Sequence, residues 1–350
     1  MLGLIQSLMR GRSTTRGRIV LIYALLVAAN VAAWLWALST FRHYPLLLGT
    51  AVLAYSFGLR HAVDADHIAA IDNVTRKLMQ EGKRPVSVGF FFSLGHSTIV
   101  VLATVAIAVT ATEFKAQFDA FKAIGGVLGT AVSAAFLFAI ALMNLSVLQS
   151  VWHSFRQIRD GHPALQDETQ HFTIGGGVTA RICRPLFQII GKSWHMYPLG
   201  LLFGLGFDTA TEVGLLGISA AQATSGLPIW SILVFPALFT VGMSLIDTTD
   251  GILMLGTYGW AFLKPIRKLY YNMTITAVSI VVAVLVGGIE TLGLIGDELG
   301  LQGSLWIAVG SLNNHFGSLG VVIIGVFVAS WILSAIIYRL KGYDRLGADA

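Results

Sequence analysis

The sequence predicts an all-α polytopic membrane protein with eight transmembrane helices, and three observations carry that reading. Composition is the first: 55% of the 350 residues are hydrophobic and 12% charged, about half the roughly 25% charge of a soluble domain. Mean hydropathy is +0.74, so an ordinary soluble enzyme and a nucleic-acid binder are excluded. Segmentation is the second. Apolar stretches near the ~20 residues needed to cross a bilayer run at 18–41, 46–71, 87–110, 122–149, 197–221, 229–262, 270–289 and 318–338. The third is the placement of basic residues. With the N-terminus inside, internal segments hold nineteen of the 23 Lys and Arg, and external ones only Arg42, Lys115 and Lys122. That bias orients a bundle, requires an even number of spans, and places both termini in the cytoplasm with the chain in the cytoplasmic membrane. The pI of 9.4 then reflects loops beside an anionic lipid leaflet.

The elements follow in order. A basic cytoplasmic segment, 1–17, precedes span one, whose apolar run is too long for a signal peptide and lacks a cleavage site. Spans one to four fill 18–149. A cytoplasmic loop, 150–196, contains His153, His162, His171 and His195, without metal-site spacing, and reads as solvated. Its Gly175–Gly177 run lacks the lysine of a phosphate loop. Spans five to eight fill 197–338, and 339–350 is a cytoplasmic C-terminus. The single cysteine, Cys183, excludes a disulfide framework and any multi-thiolate metal site. Tryptophans near span ends, such as Trp34, Trp36 and Trp230, read as interfacial anchors.

The chain also repeats itself. FGLRHAVDADH at 57–67 resembles FGLGFDTATEV at 203–213, and FFSLGHS at 91–97 resembles LFTVGMS at 238–244. Spans two to four (46–149) thus map onto spans five to seven (197–289). Three is an odd number, so the second copy is expected upside down, a 3+3 inverted repeat of the kind that surrounds a midplane site in secondary transporters. Spans one and eight are then peripheral.

Charges within the spans point to the chemistry. They are Arg60, Asp64, Asp66, Asp208, Glu212, Asp247 and Asp250, six acids and one base. Intramembrane charge costs about 2.5–3.5 kcal/mol per residue on insertion scales and marks ion pathways. One arginine cannot neutralise six acids, so Arg60 reads as a charge partner and a cation as the remaining compensation. Span two places His61, Asp64, Asp66 and His67 within seven residues, and span three adds His96. On a regular helix at about 100° per residue, His61, Asp64 and His67 share a face, and Asp66 joins them only if the helix unwinds. Imidazole with carboxylate suits borderline divalent metals better than sodium, calcium or magnesium. The pairs Asp208/Glu212 and Asp247/Asp250 each share a helical face and read as further ligands, proton carriers or supports that orient the histidines. His43 and His315 lie outside, near span ends.

Four segments, RHAVDADHIAAIDN, FFSLGHSTIVV, LGFDTATEVGLL and GMSLIDTTDG, resemble the four signatures of the nickel/cobalt transporter (NiCoT) family of secondary permeases. The family hallmark falls on His61, Asp66 and His67, and its other signature residues on His96, Asp208, Glu212, Asp247 and Asp250. The resemblance implies uptake of Ni²⁺ or Co²⁺ across the cytoplasmic membrane, with the metal as substrate, no permanent cofactor and no ATPase partner. It implies no enzymatic activity. Two rival readings are a divalent-metal exporter of similar architecture and an intramembrane metallohydrolase. The second would need a motif such as His-Glu-x-x-His, which is not present.

Overall fold

Helices account for all the regular structure described. The computed structural model describes residues 15–110, 115–159, 190–205, 210–261, 265–313 and 315–340, with no strand among them. In chain order the helices are α1 (Thr15–Phe41), α2 (Pro45–His61), α3 (Ala65–Gln80), α4 (Val88–Thr110), α5 (Lys115–Arg159), α6 (Met196–Phe203), α7 (Ala210–Thr224), α8 (Ile229–Ile232), α9 (Val234–Ala261), α10 (Pro265–Glu298), α11 (Ser304–Asn313) and α12 (Phe316–Leu340). A single 3₁₀ turn, Ser193–His195, leads into α6. Among the described residues, five helices are long and apolar enough to cross a membrane, or up to seven if each of two bent pairs is one span. The chain is a multi-pass membrane protein. The expected fifth span, 197–221, is divided between α6 and α7. α5 continues to Arg159, past the expected end of span four at 149.

The expected second span is not a continuous helix. The α2 ladder ends with the Ala62 amide bonded to the Gly58 carbonyl. Asp64 then adopts extended backbone (φ −67°, ψ 149°) as the N-cap of α3, a position aspartate favours. Asp66 follows in the first turn of α3, where the positive helix end stabilises a carboxylate. The projection that set His61, Asp64 and His67 on one face of a regular helix therefore does not describe this segment. The unwinding lies just before Asp66.

The chain divides into two compact units. The first comprises Met1–Ala62, Arg84–Gly129 and Met196–Ile252. Its core gathers Ala51 and Ala54 of α2, Val100 of α4, Leu215 of α7 and Phe235, Leu238, Phe239 and Met243 of α9. Phe41 stacks on Phe235 with ring centroids 5.5 Å apart. Bare glycines set the helix spacing. A methyl group on Gly95 of α4 would strike the backbone of Tyr197 and Leu201 in α6, and one on Gly200 of α6 would strike that of Phe92 and His96. A methyl on Gly58 would meet the Phe239 backbone, and one on Gly242 that of Tyr55 and Leu59. Such close backbone approach is how small residues hold membrane helices together. Val20, Val27, Val31 and Leu35 of α1 are exposed, as suits a peripheral helix facing lipid.

The second unit comprises Val63–Lys83, Thr130–His195 and Leu253–Ala350. Ala65, Ile68 and Ala69 of α3 pack with Leu137 and Ala141 of α5, Val282, Ala283 and Val286 of α10 and Ile323 of α12. Gly320 of α12 lies so close to the Val63 carbonyl that no side chain fits there.

Candidate metal centre

Three side chains of the first unit meet at one point. His61 is the last residue of α2, where the negative end of the helix favours a cation. His96 lies in the middle of α4, and its backbone is approached closely by Gly200 of α6 and by Gly204 just beyond the end of that helix. Glu212 stands in the first turn of α7. All three are at most 2% exposed. His61 Nε2 lies 2.9 Å from His96 Nε2, His96 Nε2 lies 2.7 Å from Glu212 Oε1, and His61 Nε2 lies 3.8 Å from Glu212 Oε1. The imidazole rings are tilted by 55° with centroids 4.7 Å apart, and Phe239 closes one side at 5.5 Å from the His61 ring.

That triangle has the dimensions of a ligand set. Its three edges define a circumscribed circle of radius about 1.9 Å, just inside the ~2.0–2.1 Å of a metal bond to imidazole nitrogen or carboxylate oxygen. A cation slightly out of the plane reaches all three atoms without any of them moving.

The other expected site residues are placed as follows. His67 and Asp64 are buried, at 0% and 3% exposed, and Asp66 is half-buried. These three belong to the start of α3, directly after the break. Asp247 of α9 is fully buried, Asp250 half-buried. The Asp247 backbone lies against Gly89, two turns and so about 10 Å along α4 from His96. Arg60 is exposed and forms no ion pair with a carboxylate among the described residues. Asp208 lies outside the described residues, as do His162, His171 and Cys183. His195 accepts a bond from the Gly191 amide, and His43 and His315 are exposed.

Two features are missed by the sequence reading. The first is the GxxxG spacing of Gly200 and Gly204, visible in GLLFG and a known signal of close helix packing. The second is a buried polar cluster in the second unit. Asp72 of α3 accepts bonds from Tyr258 Oη and from Ser279 Oγ at 2.8 Å. Arg76, one turn on, donates to Thr276 Oγ1 at 2.7 Å and to Asn73 Oδ1 at 2.9 Å, and Asn144 donates to that same oxygen at 2.6 Å. Asp72 and Asn73 stand inside the RHAVDADHIAAIDN segment, but no periodicity marks their partners more than 70 residues away.

The chain is similar to known proteins over most of its length. The family described as NicO, high-affinity nickel-transport protein, matches residues 47–337. A high-affinity nickel transport protein of Cupriavidus necator is 60% identical over 336 residues, covering 96% of each chain. The hydrogenase nickel incorporation protein HupN of Bradyrhizobium diazoefficiens is 46% identical over 94% of this chain and 86% of its own. The cobalt transport protein NhlF of Rhodococcus rhodochrous is 38% identical over 84% of each. No solved structure matches.

Proposed function

The chain belongs to the high-affinity nickel-transport protein family, and we propose that it imports Ni²⁺ or Co²⁺ through the centre formed by His61, His96 and Glu212. It is a nickel/cobalt transporter and not an enzyme. The observation that carries the site is the convergence of His61 Nε2, His96 Nε2 and Glu212 Oε1 on a point at metal-bond distance. Of these three side chains, with the imidazoles neutral, only the Glu212 carboxylate carries charge, so a divalent cation is not overcompensated by them.

Eight spans with both ends inside agree with the bias of the basic residues. An inverted repeat draws support from the glycine contacts. Gly95 and Gly242 occupy equivalent places in the two copies; Gly95 packs on α6 of the second copy and Gly242 on α2 of the first, the exchange a two-fold axis in the membrane plane produces. In the two matching segments, α2 ends at His61 and α6 at Phe203. The second copy has Phe207, Val213 and Met243 where the first has His61, His67 and His96, so the histidine ligands all come from one repeat. The inward-negative potential contributes about 2.3 kcal/mol per charge per 100 mV, so it drives a divalent ion inward without ATP. The test is uptake of radioactive nickel by cells carrying His61→Ala, His96→Ala or Glu212→Gln. At trace nickel, abolished uptake in the two histidine variants and strongly reduced uptake in Glu212→Gln are expected, with normal membrane levels; undiminished uptake in all three refutes the site.

A further inference from the structure

From the centre just described, whose assignment this inference rests on, a polar seam runs between α4 and α9. Gly89, Ser93 and His96 fall on one face of α4 at helical spacing, and Thr240, Ser244 and Asp247 fall on one face of α9. The two faces meet antiparallel. Ser93 Oγ donates to Ser244 Oγ at 3.0 Å, and one turn further from His96 the Gly89 backbone abuts that of Asp247. Ser93 and Ser244 are 0% and 3% exposed, and Asp247 0%. Two neighbouring hydroxyls, Ser97 Oγ and Thr248 Oγ1, are equally buried with no hydrogen-bond partner among the described residues. The seam leads to the N-terminal end of α4, where Arg18 donates to the Arg84 carbonyl at 3.2 Å, the end that the distribution of basic residues assigns to the cytoplasm.

Packing alone does not account for this polarity. Buried hydroxyls without partners cost free energy, and small apolar residues would give the same close approach. An ion stripped of water needs oxygen atoms along its way, and this face supplies hydroxyls in sequence and then a carboxylate. The contact at Gly89 and Asp247 also leaves no room for an ion. The geometry points to the Ser93–Ser244 seam as the inner gate of the transport route: it seals the His61–His96–Glu212 centre on the basic side, parts to let the divalent ion pass, and offers its hydroxyls and then Asp247 as the next ligands.

The test locks the seam. In a Cys183→Ser background, Ser93→Cys and Ser244→Cys place two sulfurs where hydroxyls now touch, and diamide joins them as a disulfide that dithiothreitol reverses. Radioactive nickel is measured twice: as equilibrium binding to the purified protein, and as transport into proteoliposomes. Expected are retained binding, transport reduced at least tenfold in the oxidised form, and recovery on reduction. Equal transport by the oxidised and reduced forms overturns the gate while leaving the metal centre standing. Undiminished equilibrium nickel binding by His96→Ala, measured alongside, refutes the centre instead. Should the reduced double variant not transport, each single cysteine is labelled with a membrane-impermeant cationic thiosulfonate added at the basic face. Slower labelling in the presence of nickel supports the route, and labelling indifferent to nickel overturns it.

Discussion

The two buried polar clusters differ in how their donors and acceptors are matched. In the second unit, the Asp72 carboxylate faces two hydroxyl donors, and the Arg76 guanidinium faces a hydroxyl and an amide oxygen. Each acceptor there meets a donor, with only Arg76 Nε lacking a partner among the described residues, and the cluster ties α3 to α5, α9 and α10. In the first unit, two imidazole nitrogens and a carboxylate oxygen crowd one point. Their common capacity is to accept, and one proton or one cation must lie among them. Burial of polar groups is therefore not by itself a sign of function. A matched cluster holds the fold, whereas converging acceptors hold a cation.

Breaking each cluster should have opposite consequences, and these are the largest effects. Asp72→Ala leaves the buried Tyr258 and Ser279 hydroxyls without their acceptor, and should cost about 2 kcal/mol or more. Thermal unfolding of the purified protein and its level in the membrane are expected to fall together. His96→Ala should leave both unchanged and abolish nickel accumulation.

Smaller changes sharpen the contrast. Gly200→Ala drives a methyl into the Phe92 backbone, moving α4 and with it His96; both folded yield and transport should drop, with apparent affinity for nickel affected in whatever protein remains. Glu212→Gln keeps the shape of the site and removes its charge. A KM for nickel raised roughly tenfold to a hundredfold is expected, with the melting temperature unmoved. Arg76→Lys loses the planar fork that reaches Thr276 and Asn73 together and should lower stability by about 1–2 kcal/mol without changing the KM. The smallest effect belongs to the exposed pair of Lys83 and Glu81, 2.5 Å apart. Lys83→Ala should change unfolding by less than about 1 kcal/mol and transport not at all.

Hydropathy made the helices legible because each apolar run must satisfy its backbone internally in lipid. It did not mark the break at 62–64, since Ala62, Val63 and Ala65 continue the apolar pattern on both sides. The consequence is local but decisive: a regular helix separates Asp66 from His61, and the break removes that constraint. His61, His67 and His96 stood out because histidine is rare in spans. Glu212 was visible as an intramembrane acid, but its contact with His96 joins residues 116 apart, and no local spacing encodes it. Arg60 illustrates the reverse. Its position inside an apolar run suggested a buried charge partner, yet it lies on the exposed face of α2. The Ser93–Ser244 seam was unreadable because serine and glycine in a span serve packing as often as passage.

The central claim is that His61, His96 and Glu212 bind the transported metal together. X-ray absorption of nickel bound to the purified protein tests it most directly. Imidazole scattering from at least two histidines, with N/O ligands at about 2.0–2.1 Å, is predicted for the unaltered chain, and loss of one imidazole contribution in each of His61→Ala and His96→Ala. An unchanged nickel spectrum in both variants, at unchanged stoichiometry, would contradict it.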